Sequence, residues 1–268
     1  MLSRVETVLR DVGQSVIMPL FRRLAAGDIA EKSPGEIVTT ADRRAEAALV
    51  ARLRDIAPDA VAVGEEGVAA DPRILADFHA GRFARAWLID PLDGTANFAA
   101  GDRRFAIMVA LVEKGHAVAS WIHEPASGRT AVCESGGGAF VDRTRIRLQQ
   151  SAPAGPLRGG VFSRFLPPAE RAIVSDNLSR IMHLPGSACA GRAYPDIAAG
   201  HRDFNLYWRL LPWDHAPGAL FLAEAGGCVR YFDGENYVPA QQRSGLIAAA
   251  SEAAWEQARS TLLAPRNM

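Results

Sequence analysis

The segment WLIDPLDGTANF, residues 87–98, constrains the fold most, because an apolar run meets two carboxylates and a proline within a few residues. The apolar residues at 87–89 predict a buried strand. Pro91 has no backbone N–H to donate to a neighbouring strand and presets a turn, so we expect the strand to end there. Asp90 and Asp93 would then lie at the edge of a sheet.

The two residues after this pair of aspartates predict an anion-binding turn. Gly94 allows a ligand to approach the backbone closely, and Thr95 can open a helix whose free N–H groups face outward. Mg²⁺ is commonly bound by carboxylates together with a substrate phosphate. The segment therefore fits a site for Mg²⁺ and phosphate, although taken alone it fits an ordinary Asx-Pro turn with a capping aspartate better.

Two further acidic residues lie at the predicted ends of elements. Glu65 follows an apolar strand predicted at 61–63, although adjacent glutamates are also common on a protein surface. Asp214 precedes a helical run at 218–225, where an aspartate that caps the helix would be an ordinary feature. Together with the two aspartates of the opening segment, they form a set that could neutralise two or three divalent ions.

Hydrophobic spacing divides the chain into two unlike halves. In the first half, apolar residues recur at helical spacing over 2–26 and, after a loop at 31–35, over 45–56. Thr39 and Asp42 resemble a capping pair before this second helix. Strand-like patterns follow at 105–112, 117–123, 129–134 and 139–141. The first half therefore predicts two helices against a largely antiparallel sheet.

In the second half, strand and helix patterns alternate, which is typical of an α/β unit with a mixed sheet. Strands are predicted at 160–162, 204–207, 228–232 and 246–249. Helices are predicted at 168–181, after 186–188, at 214–225 and at 251–263. A polar, proline-containing stretch at 149–156 is the predicted boundary, which gives an N-terminal half of 1–148 and a C-terminal half of 149–268.

Composition argues against several classes of protein. The chain has 30 basic and 30 acidic residues, and this balance gives no sign of a surface for nucleic acids or membranes. Cys133, Cys189 and Cys228 are far apart and odd in number, so we expect small buried side chains. No run reaches the ~18 apolar residues of a membrane span, and the N-terminus has no apolar core of a secretory signal. We therefore expect a cytoplasmic protein.

Three motifs, in this order, resemble the inositol monophosphatase family, within the lithium-sensitive, metal-dependent phosphatase superfamily. They are Gly-Glu-Glu at 64–66, Asp-Pro-Leu-Asp-Gly-Thr at 90–95 and Trp-Asp-x-Ala-x-Gly at 213–218. Weaker matches are found at 38–42 and 186–188. The two aspartate motifs together make the resemblance specific.

The resemblance implies an αβαβα sandwich, a homodimer and a phosphatase that depends on Mg²⁺ and is inhibited by lithium. It implies two or three Mg²⁺ ions, for which Mn²⁺ could substitute. One ion would be held by Glu65, Asp90 and the carbonyl of Leu92. A second would be held by Asp90, Asp93 and Asp214, with a weaker third near Glu65, so that most ligands lie in the N-terminal half.

The resemblance also implies roles in catalysis and in substrate binding. Thr95, paired with Asp42, would help to activate the attacking water, together with Glu65. His215 is expected to be structural, because Mg²⁺ prefers oxygen ligands. The backbone amides of Gly94 and Thr95 would grip the phosphate. The predicted substrate-binding residues are Asp93, Gly94, Thr95, Gly186, Ser187, Ala188 and Arg209.

The chain departs from the family where the alcohol half of the substrate would bind. Family members that act on inositol phosphates carry an acid several positions before the Trp-Asp motif, whereas residues 206–212 contain none. An arginine that often stands before the Gly-Ser-Ala segment is His183 here. Arg209 or Tyr207 would suit an anionic or an aromatic group. We therefore expect that inositol phosphate is not the best substrate, unless another loop supplies the missing acceptor.

The predicted function is the Mg²⁺-dependent hydrolysis of a small phosphate monoester of the sugar, polyol or nucleotide type. One alternative keeps this chemistry with a 3′-phosphonucleotide, NADP or histidinol phosphate as the substrate. Another is a non-catalytic regulatory factor in RNA synthesis with the same fold. The neutral charge gives no support for contact with RNA, and the complete set of acids favours retained catalysis.

Overall fold

The computed structural model describes residues 1–149 and 155–264 of the chain. Within these residues the β-strands form three sheets, of two, seven and five strands. The strands are β1 (Ile29–Ser33), β2 (Glu36–Thr39), β3 (Val61–Gly64), β4 (Arg85–Asp93), β5 (Ala106–Glu113), β6 (His116–Glu124), β7 (Arg129–Glu134), β8 (Gly138–Val141), β9 (Thr144–Ile146), β10 (Arg158–Val161), β11 (Met182–His183), β12 (Phe204–Tyr207), β13 (Cys228–Tyr231) and β14 (Leu246–Ala249).

The α-helices of the described residues cover both faces of the two larger sheets. They are α1 (Leu2–Val12), α2 (Thr40–Arg54), α3 (Glu65–Ala70), α4 (Arg73–His79), α5 (Thr95–Ala99), α6 (Pro168–Asn177), α7 (Ala190–Ala198), α8 (Pro212–Glu224) and α9 (Glu252–Leu262). The predicted second helix of the N-terminal half is confirmed as α2, and the predicted capping residue, Thr39, precedes it.

The seven-stranded sheet has the order β3-β4-β5-β6-β7-β8-β9. All neighbouring strands are antiparallel except β3 and β4, which are parallel, so the prediction of a largely antiparallel sheet is confirmed. Helices α1 and α2 cover one face, where Leu9 and Leu49 share a core with Trp87 and Trp121. Because side chains alternate along a strand, Leu88 of β4 packs on the opposite face.

Helices α7 and α8 form a layer between the seven-stranded and the five-stranded sheet. Met108 and Ile122 of the larger sheet share one core with Tyr194 of α7, Phe221 of α8 and Leu246 of the smaller sheet. This core buries apolar side chains from three layers at once. It therefore fixes the positions of the N-termini of α7 and α8 relative to the strand ends of the larger sheet.

The five-stranded sheet has the order β11-β10-β12-β14-β13. Strands β11, β10 and β12 are parallel, whereas β12, β14 and β13 are antiparallel, which confirms the predicted mixed sheet. Val174 of α6 and Trp255 of α9 pack against Phe204 and Ile247 on its outer face. The layers therefore follow the order α, β, α, β, α, and the expected sandwich is confirmed.

The helix predicted over 2–26 is wrong in its length. Helix α1 ends at Val12 and continues as a π-helical turn, Gly13–Ile17, and a 3₁₀ turn, Met18–Leu20. Pro19 has no N–H for an α-helical hydrogen bond, which explains why the regular helix does not continue through this stretch. The apolar spacing persists through these turns, because they still face the same core.

The loop predicted at 31–35 is also wrong, because these residues belong to the hairpin of β1 and β2. Gly35 supports the tight connection with φ +74°. Strand β1 is largely exposed, so it lacks the alternation of apolar residues that predicts a strand. The hairpin matters for function, because it carries Lys32 and Glu36 to the cleft described below.

The predicted boundary at 149–156 falls mostly on residues 150–154, which lie outside the described residues. The seven-stranded sheet ends with β9 and the five-stranded sheet begins with β10, on either side of this gap. The division into two domains, 1–148 and 149–268, stays a prediction. In the described part of the chain, no helix is long and apolar enough to cross a membrane.

Candidate active site

Four of the predicted acids approach one cleft from three elements, and we call them the acid cluster. Glu65 is the first residue of α3, Asp90 and Asp93 belong to β4, and Asp214 lies in the first turn of α8. The N-cap of α8 is Leu211, so the aspartate does not occupy the capping position that was its alternative explanation. Because β3 and β4 are parallel neighbours, their carboxyl ends meet at one edge of the sheet.

Strand β4 continues through Pro91 to Asp93, so the prediction that the strand ends at the proline is wrong. Asp90 pairs with Met108 and Asp93 with Ala106, which means that the register shifts between the two aspartates. Such a bulge leaves a residue without its ladder hydrogen bond and therefore tolerates proline. The bulge lets two carboxylates three residues apart lie close enough to influence each other.

A left-handed glycine follows the strand. Gly94 has φ +87°, and a Cβ at this position would lie 2.8 Å from the carbonyl oxygen of Arg104. It leads into α5, whose first residue, Thr95, donates its hydroxyl to Oδ1 of Asp42 at 2.8 Å. The carbonyl oxygen of Leu92 lies 3.0 Å from the same hydroxyl. The predicted pairing of Thr95 with Asp42 is therefore present as a hydrogen bond.

Asp42 is fixed by the start of α2. Only 1 % of the residue is exposed, and its Oδ2 accepts the backbone N–H of Thr39 at 2.8 Å and the hydroxyl of Thr39 at 2.6 Å. Burial raises the pKa of Asp42 above its ordinary value, although the hydrogen bonds from Thr39 and Thr95 oppose this change. One carboxylate oxygen of Asp42 thus accepts the hydrogen bonds of the helix cap, and the other accepts the hydrogen bond from Thr95.

The acid cluster carries more negative charge than its surroundings balance. Loss of contact with water is the main cause that raises the pKa values of Asp90, Asp93 and Asp214. Asp90 is 2 % exposed, and the carboxylates of Glu65, Asp93 and Asp214 raise its pKa well above the ordinary value. Like charges in a low-dielectric site repel strongly unless a proton or a cation neutralises them. The cluster is therefore suited to binding a cation.

Helix α7 supports the cluster from the C-terminal half. The backbone N–H of Gly191 donates to Oδ2 of Asp93 at 2.6 Å, and a Cβ on Gly191 would lie 2.6 Å from that of Ala106. The thiol of Cys189 lies against the same carboxylate, and burial raises the pKa of this thiol well above its ordinary value. The sequence predicts Cys189 only as a buried side chain and gives no signal that Gly191 contacts Asp93.

Two residues near Glu65 were missed by the sequence analysis. Lys32 of β1 donates to Oε1 of Glu65 at 2.9 Å and also pairs with Glu66. Glu46, which is 7 % exposed, accepts the backbone N–H groups of Glu66 and Gly67 and so caps α3. A carboxylate one helical turn after Asp42 lies on the same face of α2, and this spacing was the available signal. Nothing in the pattern of the exposed strand β1 indicates the role of Lys32.

The cluster fits a hard divalent cation by its chemistry, but its side chains are not yet arranged around one. Among residues 1–149 and 155–264, no group of three or more His, Cys, Asp or Glu side chains is placed to hold a metal ion. Instead, Asp93 accepts from Gly191, and Glu65 accepts from Lys32. Carboxylate oxygens are the donors that Mg²⁺ prefers. Asp93 uses Oδ2 and Glu65 uses Oε1 in these hydrogen bonds, so a bound ion would compete with Gly191 and Lys32 for the same carboxylates.

The acid cluster borders a cleft with two adjoining depressions, each of about 470 Å³. Both are lined by Arg164, Ala188, Arg209 and Asp214. The first depression is also lined by Lys32, Glu36, Glu65, Gly94, Thr95 and Trp213. The second depression is also lined by Asp93, Phe162, Phe165, Tyr207, Trp208 and His215. The first depression therefore combines charged side chains with apolar ones such as Val68 and Leu75, whereas the aromatic side chains are concentrated at the second.

The predicted Gly-Ser-Ala segment contributes one residue to the lining of the cleft. Ala188 lines both depressions and has a positive φ of 52°. The carbonyl of Ser187 accepts from Asn97, while its hydroxyl donates to the carbonyl of Cys189. Gly186 leaves room for the ring of Phe162, 3.1 Å from where a Cβ would lie. Gly186 and Ser187 thus hold the shape of the segment, and Ala188 faces the cleft.

Arg209, a predicted substrate-binding residue, already has partners. It pairs with Glu36 of β2, and its guanidinium lies 3.8 Å from the ring centroid of Phe165. Arg164 lies 4.9 Å from the same centroid and donates to the backbone carbonyls at 34–35. Two arginines of the C-terminal half therefore contact the hairpin at the cleft, and the sequence analysis identified only Arg209.

His215 is held by hydrogen bonds at both ring nitrogens. Nδ1 lies 2.9 Å from the hydroxyl of Tyr194, and Nε2 lies 3.1 Å from the carbonyl oxygen of Arg209. Burial lowers the pKa of His215 to about 4, so the ring is neutral at pH 7. These contacts fit the structural role expected for this residue.

The chain is similar to known proteins over nearly its whole length. A model of the inositol monophosphatase family matches residues 2–265. A fructose-1,6-bisphosphatase/inositol-1-monophosphatase of Thermotoga maritima is 36 % identical over 216 residues, 78 % of this chain and 77 % of the relative. A Nus factor SuhB of Vibrio cholerae is 30 % identical over 230 residues, 82 % and 80 %. A solved structure of an IMPase from Thermotoga maritima has a TM-score of 0.81 at 29 % identity, covering 97 % of this chain and 96 % of that one.

Proposed function

The chain belongs to the inositol monophosphatase family and is a phosphatase, and from this premise we propose that it hydrolyses a small phosphate monoester at the cleft with the help of Mg²⁺. The observation that carries the proposal is the acid cluster. Its carboxylates approach one another in buried surroundings that raise the pKa values of Asp90, Asp93 and Asp214. Such an excess of negative charge is suited to divalent cations rather than to an anionic substrate alone.

Five residues would hold the metal ions: Glu65, Asp90, Asp93, Asp214 and, through its carbonyl, Leu92. We propose two or three Mg²⁺ ions, with Mn²⁺ as a possible substitute. When bound, Mg²⁺ neutralises phosphate charge and lowers the pKa of a water. The chain's own contribution is to place hard oxygen donors at one edge of the sheet, on both sides of a bulge and at the starts of two helices.

Thr95 and Asp42 would take the proton that an attacking water must lose. The hydroxyl proton of Thr95 is directed to Oδ1 of Asp42, which leaves the lone pairs of Oγ1 free to accept a proton from water. The proton of Thr95 can then pass to Asp42, whose raised pKa favours this transfer. Glu65 lines the same depression as Thr95 and would orient the water from the other side.

The phosphate would lie at the junction of the two depressions. Gly94 and Thr95 line the first depression, and their backbone N–H groups are suited to accommodate an oxyanion there. Ala188 lines both depressions, and its side chain is only a methyl group. Phosphoryl transfer depends mainly on positioning and on charge neutralisation, so no nucleophilic serine or cysteine is needed.

The alcohol half of the substrate would extend from this junction. The Thermotoga relative is named for fructose 1,6-bisphosphate and inositol 1-phosphate, which supports a small sugar or polyol phosphate. Nucleotides, NADP and histidinol phosphate are alternatives, because the second depression is lined by aromatic residues and not by the acid expected for inositol phosphates. We further propose a homodimer and inhibition by lithium, as the family membership suggests.

A regulatory function in RNA synthesis is the second candidate. The observation that favours it is the similarity to a Nus factor, at 30 % identity. The chain has no net charge, which gives no support for contact with RNA. Turnover and regulation can be separated by assaying RNA binding and phosphate release on the same preparation.

The test is release of inorganic phosphate from a panel of monoesters with Mg²⁺ or Mn²⁺. The panel contains inositol 1-phosphate, fructose 1,6-bisphosphate, adenosine 2′-monophosphate and histidinol phosphate. We expect metal-dependent release from at least one of them and none after chelation of the metal. If no ester is hydrolysed with either metal, the proposal of a metal-dependent phosphatase is wrong.

A further inference from the structure

The second depression contains a buried phenol that has no hydrogen-bond partner in the described part of the chain. Tyr207 of β12 is 5 % exposed and lines the second depression beside Asp93 and Asp214. Its hydroxyl oxygen is buried and forms no hydrogen bond of standard distance and angle to the described residues, although burial raises the pKa of this phenol and the nearby amide of Asn205 opposes that change. A buried polar group without a partner destabilises a protein by roughly 1–3 kcal/mol, so each such group calls for an explanation.

The described neighbours of Tyr207 offer its hydroxyl proton no free acceptor. The amide oxygen of Asn205, two residues earlier on the same face of β12, already accepts from Gly160 and Arg202. Its amide nitrogen donates to the carbonyl of Ala193 and has a second N–H directed near the phenol. His215 has both ring nitrogens occupied. The hydroxyl of Tyr207 can therefore still donate its proton to a ligand.

Aromatic contacts fix the orientation of this ring. Tyr207 is stacked between Phe162, at a centroid distance of 4.7 Å and an interplanar angle of 16°, and Tyr194, at 5.8 Å and 15°. His215 meets it edge-on at 4.8 Å. The phenol is thus rigid before any ligand binds, which lowers the entropic cost of a hydrogen bond to it.

The rest of the second depression suits a flat ring better than a polyol. Away from the acid cluster it is lined by Phe162, Phe165 and Trp208, and by the stems and guanidinium groups of Arg164 and Arg209. Each hydroxyl of a polyol that faces apolar rings would lose water without a new partner, which is unfavourable. A planar heteroaromatic ring buries its faces against such residues and offers an in-plane nitrogen as an acceptor.

We propose that Tyr207 is a specificity-determining residue that donates a hydrogen bond to a heteroaromatic ring in the alcohol half of the substrate. The inference rests on the proposed phosphatase function and narrows its substrate to monoesters of alcohols that bear an imidazole or a nucleobase. Phosphate binds at the junction with the first depression, and the ring occupies the second depression.

Tyr207→Phe tests this inference, because it removes the hydroxyl and keeps the stacked ring. We expect kcat/KM for histidinol phosphate or adenosine 2′-monophosphate to fall about 3- to 10-fold, the effect of one lost hydrogen bond. The kcat/KM for inositol 1-phosphate should stay the same, and wild-type protein should prefer a ring-bearing ester. The Tm without substrate should be unchanged or higher by about 2–4 °C, because a buried unpaired hydroxyl has been removed.

Tyr231→Phe is the matched control. Its hydroxyl donates to the carbonyl of Val238 at 3.1 Å and accepts the N–H of the same residue, and it lines neither depression. This variant should lose stability and keep the wild-type preference among esters. A purely structural role for Tyr207 would give the same pattern at both positions, a lower Tm with unchanged preference.

The outcomes separate the two proposals. If no ester is hydrolysed, both the proposed function and this inference are wrong. If esters are hydrolysed but inositol 1-phosphate or fructose 1,6-bisphosphate is preferred over the ring-bearing esters, only this inference is wrong. It is equally overturned if Tyr207→Phe lowers the Tm or weakens the turnover of all esters alike.

Discussion

At the first depression Thr95 and Asp42 are hydrogen-bonded to each other, whereas at the second depression the hydroxyl of Tyr207 has no partner within the described residues. The first depression is lined by the β1–β2 hairpin, by the starts of α3 and α5 and, from the C-terminal half, by Arg164, Arg209 and the start of α8. The second is built from α7, β12 and α8, which the C-terminal half brings together.

The two parts of the cleft therefore have different tasks. Groups that are already hydrogen-bonded to each other, such as Thr95 and Asp42, are positioned for the displacement at phosphorus, a step that is the same for every substrate. A polar group kept without a partner is instead suited to recognise what differs between substrates, because it gains a hydrogen bond only when a ligand brings one. Changes at the acid cluster and at Thr95 should therefore affect turnover, and changes at Tyr207 should affect preference.

Asp93→Asn should have the largest effect. Loss of a proposed metal ligand should lower kcat by at least about 100-fold for every ester, because loss even of a residue that only supports a ligand costs 10- to 100-fold. The fold should persist, since the amide oxygen can still accept from Gly191 and one charge of a crowded cluster is gone. Phosphate release and the Tm with and without Mg²⁺ measure the two effects.

The control for this change is Asp59→Asn, which removes an exposed carboxylate that pairs with Arg85. It should leave kcat, KM and the rise of Tm with Mg²⁺ as in the wild-type protein. Full activity of Asp93→Asn would remove Asp93 from the proposed metal site and would contradict the assignment of the acid cluster to turnover.

Thr95→Val should be next in size. The variant keeps the shape of Thr95 and loses the hydroxyl that donates to Asp42, so kcat should fall about 100-fold while KM changes little. Thr95→Ser should restore most of kcat, because serine supplies the same hydroxyl. Thr40→Val, which removes a hydroxyl that donates to Asp28, is the control and should have wild-type kinetics. A large change in KM for one ester only would assign Thr95 to recognition.

Local motifs made the acid cluster and Thr95 predictable from the sequence. Asp90, Asp93 and Thr95 lie within six consecutive residues, so a short pattern carries most of their geometry. The bulge at Pro91 was not predicted, because proline cannot donate to a regular strand ladder and is therefore expected to end a strand. Only the pairing of β4 with β5 shows that the strand continues. The helical and strand periods predicted the antiparallel and the mixed sheet, whereas the sandwich was expected from the resemblance to the family.

The second depression could not be predicted in the same way. Phe162, Tyr207 and His215 come from three separate elements and meet only after the smaller sheet has packed on α7 and α8. Their sequence patterns are those of ordinary core residues, so neither the stack nor the missing hydrogen-bond partner of Tyr207 leaves a local signal. Lys32 was not predicted for another reason: its strand is exposed and has no alternation of apolar residues.

Lys32→Met should have a moderate effect, and it tests whether this residue at the first depression competes with a metal ion. Lys32 pairs with Glu65 and would compete with a metal ion for this carboxylate. Its removal should lower the Mg²⁺ concentration for half-maximal rise of Tm about fivefold, which corresponds to about 1 kcal/mol. Preference among esters should stay the same. Weaker Mg²⁺ binding in this variant would show that Lys32 supports the site and does not compete for it.

Arg209→Met should have the smallest effect, because its pair with Glu36 is partly exposed and such pairs contribute little. Arg209 lines both depressions, so it tests whether their tasks can be separated at all. We expect KM to rise about threefold, by roughly 0.6 kcal/mol, with unchanged kcat and unchanged half-saturation by Mg²⁺. Glu36→Gln removes the same pair and keeps the guanidinium in the cleft, so it is the matched control. If Arg209→Met shifts Mg²⁺ binding as much as KM, then the two depressions act as one site and the division of tasks is wrong.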